Sequence, residues 1–228
     1  MLKRLIRLAK KALPDRDVFL PVLAGPFRGA HFFSNPQVAL RKVFGVYERE
    51  LTGWLNRVLP QVDVVIDVGA NDGYFTFGSA MCMRRAGRPV RVIAIEPSAT
   101  HVRQLQEART RNGFSEAEIT FVPALSGAAD DASSRSLDSV AAGLGANERV
   151  FVKVDVEGAE GHVMAGASRL LNPRNFFLIE VHTQELHESM PPIFAKRGID
   201  VHYINQARHA LLGREHRAET NWWLVSRL

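Results

Sequence analysis

"VVIDVGANDGYFT", residues 64–76, decides how this chain is read. Its β-branched, apolar start is a strand, and it carries a carboxylate, Asp67, near its end. Gly69, Asn71 and Gly73 then turn the chain into a run of helical periodicity over 74–85. A strand feeding a helix through a glycine turn is the repeating unit of a parallel α/β sheet. In such sheets ligands sit beyond the C-terminal strand ends, where strand order reverses.

Outward from this turn the pattern repeats. Strand-like runs lie at 62–68, 90–96, 118–124, 149–155 and 176–182, and helical runs at 74–85, 99–112, 133–144 and 159–171. Ser98 suits a helix N-cap and Gly113 a helix stop. Near-continuous apolar strands predict a sheet covered on both faces. Two further strand-like stretches, 199–205 and 220–228, would close it. The fold class is therefore α/β over 61–228: a seven-stranded, mostly parallel sheet with helices on both faces.

Upstream, residues 15–60 form an extension. "VLAGPFRGAHFF" reads as a short hairpin, Asn35-Pro36 as a helix start and Gly45 as its end. A second helix runs through "YERELTGWLNRVL" and stops at Pro60. Residues 1–14, "MLKRLIRLAKKALP", put apolar residues at three- and four-residue spacing among five basic ones. This basic amphipathic helix either packs on the domain or lies on an anionic membrane surface.

The net charge of +5 is contained in that segment, and the remaining chain balances. A nucleic-acid partner is therefore not expected. The single cysteine, Cys82, forbids an internal disulfide and suits a reducing compartment. The expected location is cytoplasmic, with peripheral contact at the inner membrane surface in the case where residues 1–14 lie on lipid.

The turn itself narrows the ligand. A dinucleotide fingerprint needs a glycine where Asn71 stands. Asp67 and Asp72 would repel a pyrophosphate but suit an ammonium or sulfonium. Gly69 allows close backbone approach, and Gly73 lets the next helix begin near the strand. The second strand ends in Glu96-Pro97, and a carboxylate there can accept two ribose hydroxyls. Asp67, Gly69, Asn71, Gly73, Tyr74, Glu96 and Pro97 thus form a candidate site for S-adenosylmethionine. Tyr74 borders it or packs on the first helix.

"VVIDVGANDGYFT", "IAIEPS", "VKVDVEGAEGHVMAGASRLL" and "LIEVH", in that order, resemble the FkbM family of S-adenosylmethionine-dependent methyltransferases, and "FGVYERELTGWL" is similar to the segment before its domain. The resemblance covers residues 45–182. It implies a Rossmann-like class I methyltransferase fold and O-methylation of a hydroxyl on a sugar, glycolipid, polysaccharide or related natural product. It also implies that the helix carrying Tyr47 and Glu48 covers the donor pocket. Between residues 125 and 137 this chain is shorter than the family pattern, and the third strand's end offers no acid. Ser126, Asp130 or Asp131 could supply a polar contact there.

Methyl transfer to a hydroxyl needs alignment and a base. Strand periodicity places Lys153, Asp155 and Glu157 on one side and Glu180 and His182 on one side of the next strand. Lys153 should pair with Glu180 or Asp155 in the interior. Asp155, Glu157 and His182 are the catalytic candidates, with His182 or Glu157 as general base. Another reading makes these three ligands of a divalent metal, but no metal is assigned. Glu160 could serve the N-terminus of its helix. The competing functions are a nicotinamide-dependent oxidoreductase and a non-catalytic, membrane-associated binding protein.

Overall fold

The computed structural model describes residues 12–205 and 222–228. The basic helix expected over 1–14 lies, as far as residue 11, outside the described residues. The strands are β1 Val18–Pro21, β2 His31–Ser34, β3 Val64–Val68, β4 Val92–Ile95, β5 Ile119–Val122, β6 Leu125–Gly127, β7 Ser134–Ser136, β8 Val150–Val154, β9 Phe176–Val181, β10 Val201–Ile204 and β11 Trp222–Ser226. The helices are α1 Pro36–Val43, α2 Thr52–Val58, α3 Tyr74–Arg85, α4 Ala99–Arg111, α5 Leu137–Val140, α6 Glu160–Ala165 and α7 Gln184–Ala195.

Seven strands form the main sheet in the order β10-β11-β9-β8-β3-β4-β5. Strands β9, β8, β3, β4 and β5 are parallel, and β11 runs antiparallel to both its neighbours. The chain moves outward from β3 through β4 to β5, then returns to β8 on the other side of β3. The order therefore reverses between β3 and β8, and a cleft opens at the strand ends there.

Strand alternation sorts the apolar side chains into two cores. Val65, Phe151, Leu178 and Trp223 face Phe77 of α3, Leu105 of α4 and Trp54 of α2. Val64, Ile66, Val152 and Ile179 face Leu137 of α5, Val163 of α6 and Phe194 of α7. This two-sided burial is why the strands read as continuous apolar runs. Leu51, Val58 and Leu59 are fully buried in the first core. At about 1.5–3 kcal/mol for each such side chain, the segment before β3 is an integral part of the domain. Trp54 Nε1 also donates to the Ser226 carbonyl (2.9 Å), tying that segment to β11.

Several local expectations are corrected. The hairpin pairs β1 with β2, Val18 opposite Ser34, so its first strand lies upstream of "VLAG". Gly25 and Gly29 both have positive φ and belong to the connection. The helix expected over 47–59 is broken: Glu48 is left-handed (φ 47°), a single tight turn follows, and α2 begins at Thr52.

The run 133–144 is helical only over α5. Asp131 Oδ1 accepts from the Ser133 and Ser134 amides, and Asp130 Oδ1 from the Ser136 amide. These local bonds compete with a helix, and the segment forms a two-stranded parallel β6–β7 ladder instead. Helix α6 ends at Gly166, where a Cβ would lie 2.2 Å from the Gly127 carbonyl of β6. Among the described residues no helix is long and apolar enough to cross a membrane.

Candidate active site

The first wall of the cleft is built from the β3–α3 turn and the end of β4. Gly69 has φ +82°, and a Cβ there would sit 2.0 Å from the Asp155 carbonyl. Only glycine permits this contact between the ends of β3 and β8. Asn71, also left-handed (φ 48°), directs its amide at Glu96 Oε2 (2.8 Å). The Ser98 amide donates to Glu96 Oε1 (2.9 Å), and His101 Nδ1 lies 3.3 Å from the same oxygen. Main-chain donors thus fix the carboxylate, and its two oxygens retain lone pairs for a ligand.

Asp67 departs from expectation. It is fully buried and does not line the cleft. Thr76 Oγ1 donates to its Oδ2 (2.6 Å), and Lys153 Nζ lies 3.4 Å from its Oδ1. The cause is register: Asp67 of β3 stands directly beside Lys153 of β8. Burial pushes the Asp67 carboxyl up, against the pull of Lys153 and Thr76. Burial also works against the Lys153 charge, but Asp155 and Asp67 outweigh it and hold the ammonium above the ordinary lysine range.

Asp72 is likewise engaged, 2.6 Å from Lys42 Nζ. The two aspartates assigned to a cationic ligand therefore have cationic partners within the protein. Gly73 lies under Phe77 and Leu105 as the left-handed residue before α3. Tyr74 is a packing residue, buried with its ring edge-on to Phe27, Phe32 and Tyr47.

The second wall follows β8 and β9. Asp155, Glu157, Glu180 and His182 all line the cleft, together with Gly69, Asn71, Glu96 and Pro97 from the first wall, around a volume of about 660 Å³. Lys153 pairs with Asp155 (3.4 Å), as expected, and also donates to the Gly69 carbonyl (3.1 Å). Desolvation opposes the Asp155 charge, but Lys153 and His182 hold its carboxyl below the usual range. His182 places Nδ1 2.6 Å from Glu160 Oε1 and Nε2 3.7 Å from Asp155 Oδ1. That bond to Glu160 is the main cause of an imidazole pKa raised above the ordinary histidine value, against the effect of burial. Asp155, Glu180 and His182 could bring two oxygens and one nitrogen, all within 4.8 Å of one another, to a cation. Lys153 already supplies positive charge at Asp155.

Some members of the site were placed differently by sequence. Glu180, read as an interior partner for Lys153, faces the cleft, and Glu160, read as serving a helix end, supports His182. His101 was missed; its position in the first turn of α4, after the Ser98 cap, was the available signal. Tyr47 lines the cleft, but from the stretch before the left-handed Glu48 and not from the helix the family resemblance implied. Near β5 the cleft is bordered by Ala124, Leu125 and Ser126. Asp130 and Asp131 are taken up by their own loop. Among the described residues Ser126 Oγ, which is buried, has no hydrogen-bond partner.

Residues 126–201 match the family described as the methyltransferase FkbM domain. The chain resembles the FkbM methyltransferases. It is 19% identical to a methyltransferase FkbM of known structure from Methylobacillus flagellatus KT, with a TM-score of 0.55. The match covers 73% of this chain and 44% of that protein, so the chain spans less than half the length of this FkbM relative. A SAM-dependent methyltransferase from Agrobacterium tumefaciens matches at 13% identity and TM-score 0.54, over 92% of this chain and 69% of that one. Precorrin-6y C5,15-methyltransferase from Geobacter metallireducens GS-15 matches at 14% identity and TM-score 0.52, over 78% and 86%. At these identities the likeness to solved structures is one of fold, and the fold is the Rossmann-like methyltransferase fold. No curated protein matches the chain in sequence.

Proposed function

We propose that this chain is an S-adenosylmethionine-dependent O-methyltransferase acting on a hydroxyl of a sugar, glycolipid, polysaccharide or related natural product. The observation that carries the reading is Glu96. It is an acid at the end of β4, held by two main-chain amides, in one cleft with His182 and Asp155. Glu96 would accept the ribose hydroxyls. Asp155, Glu157 and Glu180 give the cleft an acidic lining that suits a cationic donor and opposes a pyrophosphate. Ser126 Oγ, lacking a partner among the described residues, suits a polar group of the donor beside β5. Bound S-adenosylmethionine supplies an electrophilic methyl group on sulfonium. The protein's part is to orient the acceptor, exclude water and take a proton, and His182 is placed for the last of these.

Calorimetry with S-adenosylmethionine and S-adenosylhomocysteine tests the reading directly. Binding of both is expected, and titration with NAD should give no heat. Binding of NAD, with neither sulfur compound bound, would transfer the assignment to a nicotinamide enzyme.

A further inference from the structure

On the reading of this cleft as a methyl-transfer site, we propose that Glu160 is a positioning residue. It fixes His182 in the tautomer protonated at Nδ1, leaving Nε2 as the proton acceptor on the cleft side.

The geometry is directional. Glu160 is fully buried, and its Oε1 lies 2.6 Å from His182 Nδ1. A carboxylate only accepts, so Nδ1 must carry the hydrogen. Among the described residues Nε2 has no such partner. Asp155 Oδ1, at 3.7 Å, is beyond hydrogen-bond reach. In the neutral imidazole the unprotonated nitrogen is therefore Nε2, on the side of Asp155 and of the cleft that His182 lines.

Helix capping does not account for Glu160. Its Oε1 accepts from the Gly158 amide (3.0 Å), but an exposed acid would do this at lower desolvation cost. Instead Oε2 is buried without a hydrogen-bond partner among the described residues, an expensive arrangement for stability alone. Burial works against the anion, yet the bonds from His182 and Gly158 hold the carboxyl below its ordinary range. Glu160 is thus an anion set directly behind the imidazole.

The groups facing His182 are Glu160 from α6, Asp155 beyond β8 and Glu180 on β9, with the Lys153 ammonium behind Asp155. In the transfer step the acceptor O–H bond breaks and its proton passes to Nε2. The oxygen pair forms the new bond to the methyl carbon, and the carbon–sulfur pair stays on sulfur. The imidazolium that results is balanced by Glu160, the role of an anion behind a catalytic histidine.

The deciding experiment is ¹⁵N NMR of histidine-labelled protein saturated with S-adenosylhomocysteine, with His182→Gln identifying the resonance. The wild type should show His182 protonated at Nδ1 when neutral. Glu160→Met should return it toward the Nε2-protonated form that free histidine prefers, with nucleoside affinity kept within about threefold. A wild-type His182 protonated at Nε2 overturns the proposal and needs no variant to fold. Failure of S-adenosylhomocysteine to bind overturns the methyl-transfer reading instead.

Turnover supplies the second readout, with methyl glycosides as acceptors. Glu160→Gln, which keeps the shape and the acceptor oxygen, should lower kcat roughly 10–100-fold and leave KM within about threefold. The same substitution in a His182→Ala background should have no further effect. A Glu160→Gln enzyme with unchanged kcat would overturn the charge-balancing role of Glu160, and equal losses in both backgrounds would overturn any role acting through His182.

Discussion

The two walls of the cleft are held by different means. On the β3–β4 side, Glu96 is fixed by the amides of Asn71 and Ser98, so its position follows from the backbone. On the β8–β9 side, His182, Asp155 and Lys153 are held mainly by one another and by Glu160, with main-chain support from the Gly69 carbonyl and the Gly158 amide, so their positions follow chiefly from side-chain ion pairs. A wall held by main chain tolerates loss of a neighbouring side chain. A wall held by side chains propagates the loss of any one of them. The first arrangement suits a constant ligand, and the second suits groups whose charges change during a reaction.

The largest expected effect lies where the walls meet. Lys153→Met leaves the fully buried Asp67 without its cation and should cost about 3–5 kcal/mol in urea denaturation. Adding Asp67→Asn should recover much of that loss, and a single variant as stable as the wild type would show that the pair does not join the walls. Next, Glu96→Ala should weaken S-adenosylhomocysteine binding by about 10–100-fold, the loss of one or two hydrogen bonds to a charged group. The melting temperature should change little. Unchanged affinity would remove the β4 wall from donor recognition.

The smallest effect belongs to the outer clasp between Lys42 and Asp72. Its side chains are partly exposed, at 20% and 15%. Lys42→Met should therefore cost about 1 kcal/mol or less, measured in the same denaturation assay, and fade at high salt. A loss as large as that of Lys153→Met would mean that the donor-side turn also depends on side-chain pairing.

The sheet, the 69–73 turn and the acid ending β4 were legible because local signals specify them. Apolar runs, the Ser98 cap and the glycines of the 69–73 turn are properties of short stretches. The second wall depends on register between strands far apart in sequence, which no stretch carries alone. Asp67 and Lys153 illustrate the loss: each is the fourth residue of a five-residue strand, VVIDV and VFVKV. In the runs read from sequence, 62–68 and 149–155, the two residues hold different positions, so the pairing emerges only with the register. Asp67 was assigned to the ligand because a carboxylate at a strand end looks available until its neighbour is known. The β6–β7 ladder escaped notice because Asp130 and Asp131 act on individual amides, which leaves no periodic pattern.

Strand β11 reaches the sheet last and yet lies between β9 and β10. It also receives the Trp54 indole and, through Ser226 Oγ, the Phe177 amide. Among the described residues β10 pairs only with β11, so during synthesis on the ribosome that pairing waits until residues 223–226 have emerged. Until then the edge of β9 is open to other nascent chains, so a stalled or truncated product would invite aggregation or proteolysis.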